Sequence, residues 1–128
     1  MERGWFSRTR REEPDVRVTY DETEADLVCH VEGNLEQLTV TEFRESLAHA
    51  EFGHARVIFD LAAVPFVDSA GLGALVGVVR RVREREGEAV LCSARPSVAR
   101  VLDLAGLSRL VTVAEDLGAA RALSSPAA

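Results

Sequence analysis

The chain contains no lysine; all 15 of its basic residues are arginine. Every mechanism that depends on a lysine is thereby excluded, the phosphate clamp of a P-loop among them. Cysteine is scarce, limited to Cys29 and Cys92. The two form no C-x-x-C pair, and no histidine stands at metal-ligand spacing from either. Each lies within an apolar run, which points to buried thiols. A disulfide would need the fold to bring them together, in a compartment expected to be reducing. Uninterrupted apolar length is also missing. Residues 57–79 are mostly apolar, but Asp60, Pro65 and Asp68 interrupt them. Each aspartate near a membrane centre would cost roughly 2.5–3.5 kcal/mol. A buried strand followed by a helix is expected there, not a membrane span. The N-terminal "MERGWFSRTRREEP" lacks the apolar core of a secretory signal, so a cytoplasmic location is expected. An excess of positive charge is absent too. With 21 acidic residues the net charge is −6, which argues against a general nucleic-acid binder.

What is present suits one folded domain. The chain has 128 residues, 47% of them hydrophobic, enough for a modest core. Residues 1–14 are polar and arginine-rich and read as a tail, in which Trp5 and Phe6 could dock. "VRVTY" (16–20) alternates as a strand does, and "DLVCHVEGN" (26–34) reads as its hairpin partner. "TVTEFRESLAHAEF" (39–52) reads as a helix capped by Thr39 or Thr41, with Phe43, Leu47 and Ala50 on one face. "ARVIFDLA" (55–62) is the continuous apolar run of a strand buried on both faces. From Gly71, the residues Leu72, Leu75, Val76, Val79 and Val82 follow helical spacing. Arg80, Arg81, Arg83 and Arg85 crowd the last turns, where cations suit the helix dipole, and Gly87 is expected to end the helix. "EAVLCSA" (88–94) reads as a strand, and Pro96 opens a helix with Val98, Val101, Leu102 and Ala105 as its stripe. Gly106 fits a left-handed cap, letting Leu107 fold back on Leu102. "RLVTV" (109–113) reads as the last strand, and Asp116 caps a short helix carrying Leu117, Ala120 and Leu123. Strands separated by single helices imply parallel neighbours. The expected architecture is α/β: a small, mostly parallel mixed sheet begun by a hairpin, with about four helices.

The joint "VPFVDSAGLG" (64–73) sets one hydroxyl, Ser69, between two buried elements. A hydrolase elbow needs G-x-S-x-G and a later histidine. Val67 stands at the first glycine position, and His30, His49 and His54 all precede Ser69. A dinucleotide fingerprint needs a third glycine where Val76 stands, and an acid after the next strand. On local chemistry alone two readings stay open. Asp68 is a good helix N-cap, and Ser69 is then merely a small residue tolerated in the first turn. Alternatively, a phosphate on Ser69 would sit in the field of unpaired N–H groups at the helix start. It would add nearly two negative charges beside Asp68. Ser69 would then be a switch: free hydroxyl for binding, phosphate for release.

The stretch "VIFDLAAVPFVDSAGLGALV" resembles the signature of STAS domains, in particular of bacterial anti-sigma factor antagonists. Asp60, Leu61, Val64, Phe66, Asp68, Ser69, Gly71, Leu72 and Gly73 match its D-L-x-x-V-x-F-x-D-S-x-G-L-G pattern. "VEGNL" (31–35) and "LCSARPSVARVLDLAGLSRLVTV" (91–113) are similar to two further family landmarks. The resemblance implies a STAS domain over residues 15–124, with 125–128 a loose end. It implies a binding module, not an enzyme, with no cofactor or metal. The free antagonist would bind an anti-sigma factor that is also a serine kinase and thereby release a sigma factor. That kinase would use ATP to phosphorylate Ser69, and a metal-dependent phosphatase would reverse it. Asp68, Ser69, Ala70, Gly71, Leu72 and Gly73, with Asn34 and Glu36 in the flanking turn, would form the partner surface. The chain departs from the family at Asn34, where relatives often carry an acid, and at Ala70, where a second hydroxyl is frequent. Two alternatives remain. STAS domains also serve as scaffold subunits or cytosolic transporter partners, and a small-molecule or nucleotide-binding domain would need a lined pocket.

Overall fold

In the computed structural model, which describes residues 16–123, the β-branched run Arg56–Ala63 forms β3, the centre of a five-stranded sheet. β1 (Val16–Glu22) and β2 (Asp26–Gly33) form the antiparallel hairpin. β2, β3, β4 (Glu88–Cys92) and β5 (Thr112–Ala114) run parallel, in the order β1-β2-β3-β4-β5. The helices are α1 (Val40–Ser46), α2 (Ser69–Glu84), α3 (Pro96–Leu104) and α4 (Leu117–Arg121). This is the α/β architecture expected. The tail at 1–14, with Trp5 and Phe6, and the end at 125–128 lie outside the described residues.

Both sheet faces are covered, which explains why β3 reads as an unbroken apolar run. On one face Cys29, Val57, Phe59 and Leu91 meet Phe43 of α1, Leu75 and Val79 of α2 and Leu102 of α3. On the other, Val28, Ile58, Val90 and Cys92 are covered by Ala120 of α4. Arg56 is buried and holds α4 in place. Its guanidinium donates to the Leu123 carbonyl at 3.1 Å and to Glu88 Oε1 at 3.2 Å. Cys29 and Cys92 are free, face opposite sides of the sheet and have β3 between them. Burial pushes the Cys29 thiol up to about 12 and raises Cys92 as well.

Several element boundaries differ from expectation, each for a physical reason. α1 ends at Ser46 rather than reaching residue 52. Phe52 takes a left-handed backbone (φ 51°) and turns into the core, against the edge of Phe59. Arg81 of α2 stacks on Phe52 and donates to the Leu47 and Ala50 carbonyls, both at 2.9 Å. Those carbonyls are thus satisfied without further helix. Thr39 does not cap α1. Its hydroxyl donates to the Asn34 carbonyl at 2.6 Å and accepts from the Glu36 N–H at 3.1 Å, closing the preceding turn. At the end of α2 the left-handed residue is Glu86 (φ 66°), not Gly87. The Gly87 N–H donates to the Val82 carbonyl at 3.0 Å, closing a Schellman turn. Gly87 is needed for space, since a Cβ would lie 2.9 Å from the His54 carbonyl oxygen. β4 stops at Cys92 because Ser93 turns left-handed (φ 62°). Residues Leu107–Arg109 form a 3₁₀ turn, so β5 starts at Thr112. Gly106 does adopt the expected left-handed cap (φ 75°), and Leu107 is buried behind it.

His30 ties three strands together. Its Nδ1 lies 2.7 Å from Asp60 Oδ2 on β3, and its Nε2 3.1 Å from Asp21 Oδ2 on β1. Burial works to lower the His30 pKa, but hydrogen bonds to Asp60 and then Asp21 more than offset it and hold it above 6.5. A raised folded-state pKa contributes stability that is fully present below the unfolded value and is lost as pH rises through the folded one. Asp21 is mostly exposed, so solvent screens part of the effect. Urea unfolding measured across pH is expected to show stability declining as pH rises above about 6.5. His30→Asn should flatten that decline. A variant profile as steep as the wild type's would assign it to another group.

Candidate functional site

The joint between β3 and α2 is stitched to the turn after β2. Leu35 and Val67 form a parallel bridge. The Leu35 N–H donates to the Phe66 carbonyl at 2.9 Å, and the Asp68 N–H to the Leu35 carbonyl at 3.0 Å. Asp68 then uses both carboxylate oxygens. Oδ1 accepts from the Gly71 N–H at 2.9 Å, as an N-cap does, and Oδ2 accepts from the Gln37 N–H at 3.0 Å. A serine or threonine cap has one oxygen and could not reach both donors. The Gly71 N–H, and then the Gln37 N–H, hold the Asp68 carboxyl below its ordinary value. The side chain is therefore anionic at neutral pH.

The two glycines of the joint have different roles. A Cβ on Gly71 would lie 2.0 Å from the Leu35 carbonyl oxygen and 2.5 Å from its carbon. The first turn of α2 can press on the β2 turn only because this side chain is absent. Gly73, one turn into the exposed face, has nothing within 4 Å of where a Cβ would stand. The fold does not require it.

Ser69 is the first residue of α2 and is exposed, and its hydroxyl makes no hydrogen bond to a described residue. Ala70 and Leu72 are half-buried, Leu72 against the main core. Asn34 and Glu36 are half-buried in the turn that Asp68 holds. The buried Asn34 Oδ1 has no hydrogen-bond partner among the described residues. All eight residues singled out in the sequence thus lie on two segments joined through Leu35 and Asp68. Sequence reasoning missed Gln37, which contributes a backbone N–H, and gave Thr39 a capping role where its hydroxyl closes the turn. It also missed that two apolar residues of these segments are exposed, Leu38 at 83% and Phe66 at 48%. For Leu38 the available signal was an apolar residue outside any periodic run.

A cavity of about 660 Å³ lies at the other end of the sheet. Glu22, Glu24 and Glu51 line it, an environment that repels phosphate and gives no support to a nucleotide site. Among the described residues no group of His, Cys, Asp or Glu side chains could hold a metal ion, and no helix is long and apolar enough to cross a membrane.

Two substitutions separate the glycines. Gly71→Ala should destabilise the fold by about 1–3 kcal/mol or more, because backbone must move. Gly73→Ala should stabilise it by up to about 1 kcal/mol, since glycine is a poor helix residue. Equal effects in denaturant melts would show that the Leu35 contact is not the discriminating one.

The STAS domain family matches residues 17–120. BtrV of Bordetella bronchiseptica, named as an anti-sigma factor antagonist, is 29% identical over 108 residues, covering 84% of this chain and 93% of that protein. The anti-sigma-B factor antagonist of Listeria monocytogenes is 30% identical over 84 residues, 65% of this chain and 74% of its own. The crystal structure of an anti-sigma factor antagonist from Mycobacterium paratuberculosis superposes with a TM-score of 0.75 at 21% identity, covering 85% of this chain and 94% of that one. That last likeness concerns the fold. With the family match spanning the sheet, the joint and all four helices, the chain belongs to the STAS domain family.

Proposed function

We propose that this protein is an anti-sigma factor antagonist switched by phosphorylation of Ser69. The observation that carries the reading is the freedom of that one hydroxyl. Asp68 and Gly71 are consumed in building the joint, whereas Ser69 stands exposed at its tip with no role in holding it. The names of the relatives support the partner class, an anti-sigma factor; in this reading that partner is also a serine kinase. In this reading residues 15–124 are the binding module. Its surface comprises Asn34, Glu36 and 68–73, with Gly71 contributing by seating the helix start and Gly73 by leaving room for the partner's backbone.

A phosphate on Ser69 would be held by the N-terminal N–H groups of α2, so the domain tolerates it. Next to the ionised Asp68 it would also concentrate negative charge at the rim, which disfavours an acidic or closely packed partner. A metal-dependent serine phosphatase would restore the free hydroxyl.

The test combines the protein and ATP with each serine-kinase anti-sigma factor of its own genome, reading intact mass and the modified residue. One added phosphate on Ser69, absent from Ser69→Ala, is the expected result. Ser69→Asp should bind the anti-sigma factor at least about tenfold more weakly, a difference of roughly 1.4 kcal/mol. Gly73→Ala should lose affinity while remaining at least as stable as wild type. Binding of Ser69→Asp equal to wild type would overturn the switch. No phosphate from any candidate would overturn the kinase reading and favour a scaffold or transporter-partner role for the domain.

A further inference from the structure

β1 is the long edge of the sheet. It pairs with β2 on one side, and no strand among the described residues lies on its other side. It runs for seven residues, with no proline and no bulge in its register with β2. β5, the opposite edge, has three residues. A very short edge is protected by its shortness, whereas a long regular one offers a row of unpaired N–H and C=O groups to another strand.

The hairpin fixes which groups those are. The Thr23 N–H donates to the Asp26 carbonyl at 2.9 Å, closing the ladder. Hydrogen-bonded pairs alternate along an antiparallel ladder. In the register of β1 with β2, Asp21, Thr19 and Arg17 therefore bond to β2, opposite Val28, His30 and Glu32. The N–H and C=O of Val18 and Tyr20 point away from it.

The side chains select the strand that fits. About a two-fold axis through Thr19, β1 of a second copy runs antiparallel to this one. Arg17 then opposes Asp21, Val18 opposes Tyr20, and Thr19 opposes Thr19. An opposite-charge pair, an aromatic on a β-branched residue and a threonine pair are each favourable across strands. The symmetry supplies the first two twice. A shift of two residues in either direction sets Arg17 against a threonine, Thr19 or Thr23, and separates the charges. Arg17, Thr19 and Asp21 are exposed, and Asp21 engages His30 through Oδ2, leaving Oδ1 to meet an arginine. Tyr20 is 43% exposed, with its hydroxyl held by the Ser46 carbonyl at 2.8 Å. Val18 of a second copy would cover its ring.

We infer that two copies of this chain pair through their β1 edges, Arg17 against Asp21 about a two-fold axis at Thr19, so that their sheets become one continuous sheet. Val18 and Tyr20 exchange backbone hydrogen bonds across the axis. The pairing is a property of the chain alone and does not depend on the anti-sigma reading.

Sedimentation of the full chain with rising concentration is expected to pass from the mass of one chain to that of two. Arg17→Asp sets like charges opposite each other at both symmetric positions and should weaken the dimer by about tenfold. Arg17→Asp combined with Asp21→Arg restores both pairs and should recover it, which a merely structural role of either residue would not do. Circular dichroism checks that each variant stays folded. Cross-linking reads the register. Thr19 bonds to β2, so across the axis it forms a pair without mutual hydrogen bonds, with Cα atoms about 4.5 Å apart, within disulfide range. Mild oxidation of Thr19→Cys should give a covalent dimer many-fold faster than Arg17→Cys or Asp21→Cys alone, the buried Cys29 and Cys92 taking no part. A single-chain mass at every concentration would overturn the inference. A dimer that Arg17→Asp leaves unchanged would lie on another surface and overturn it too, as would equal cross-linking at positions 17, 19 and 21.

Discussion

One carboxylate organises the functional end of this domain. Asp68 accepts from an N–H of its own helix and from an N–H of the β2 turn. Charge-assisted bonds of this kind are roughly twice as strong as neutral ones. Two segments more than thirty residues apart in sequence are thereby fixed to one ion. The contact works only because Gly71 lets the helix lie on the Leu35 carbonyl. Every residue of the candidate surface depends on this arrangement, including Ser69, which takes no part in it.

Asp68 and Ser69 therefore divide what their adjacency in sequence leaves together. The N-cap reading and the switch reading of the joint are not rivals. The capping role falls to Asp68 and is fully used, and the neighbouring hydroxyl is left unengaged. The same division holds for Gly71, required by packing, and Gly73, which packing ignores. A fold that satisfies its own needs with alternate residues can expose the others without strain.

The sheet, its hairpin start and the Asp68 cap were legible because they rest on short-range signals: alternation, an unbroken apolar run, and an aspartate before a helical pattern. The end of α1 was not, because it is set by Arg81 and Phe52 from elsewhere in the chain. A helical pattern cannot reveal that a distant guanidinium will satisfy the carbonyls of Leu47 and Ala50. Glu86 in a left-handed turn was hidden by the more obvious Gly87 beside it, whose job is clearance from His54. Of the candidate site, the residue identities were readable from the motif. The second bond of Asp68, to Gln37, was not, since a backbone donor leaves no mark on residue type. The exposure of Leu38 and Phe66 was likewise invisible, because it depends on which neighbours fail to cover them.

The two thiols lie beneath different layers of the molecule. Cys92 is covered on the side of α4, a five-residue helix held by Arg56, and Cys29 lies under the main core. Protonated and buried, neither reacts with an alkylating reagent until its cover lifts. Each is thus a clock for a different motion. Alkylation of Cys92 times the local detachment of the C-terminal helix, and alkylation of Cys29 times opening of the whole domain. The ratio of the two rates measures how far the last helix behaves as an independent part of the fold.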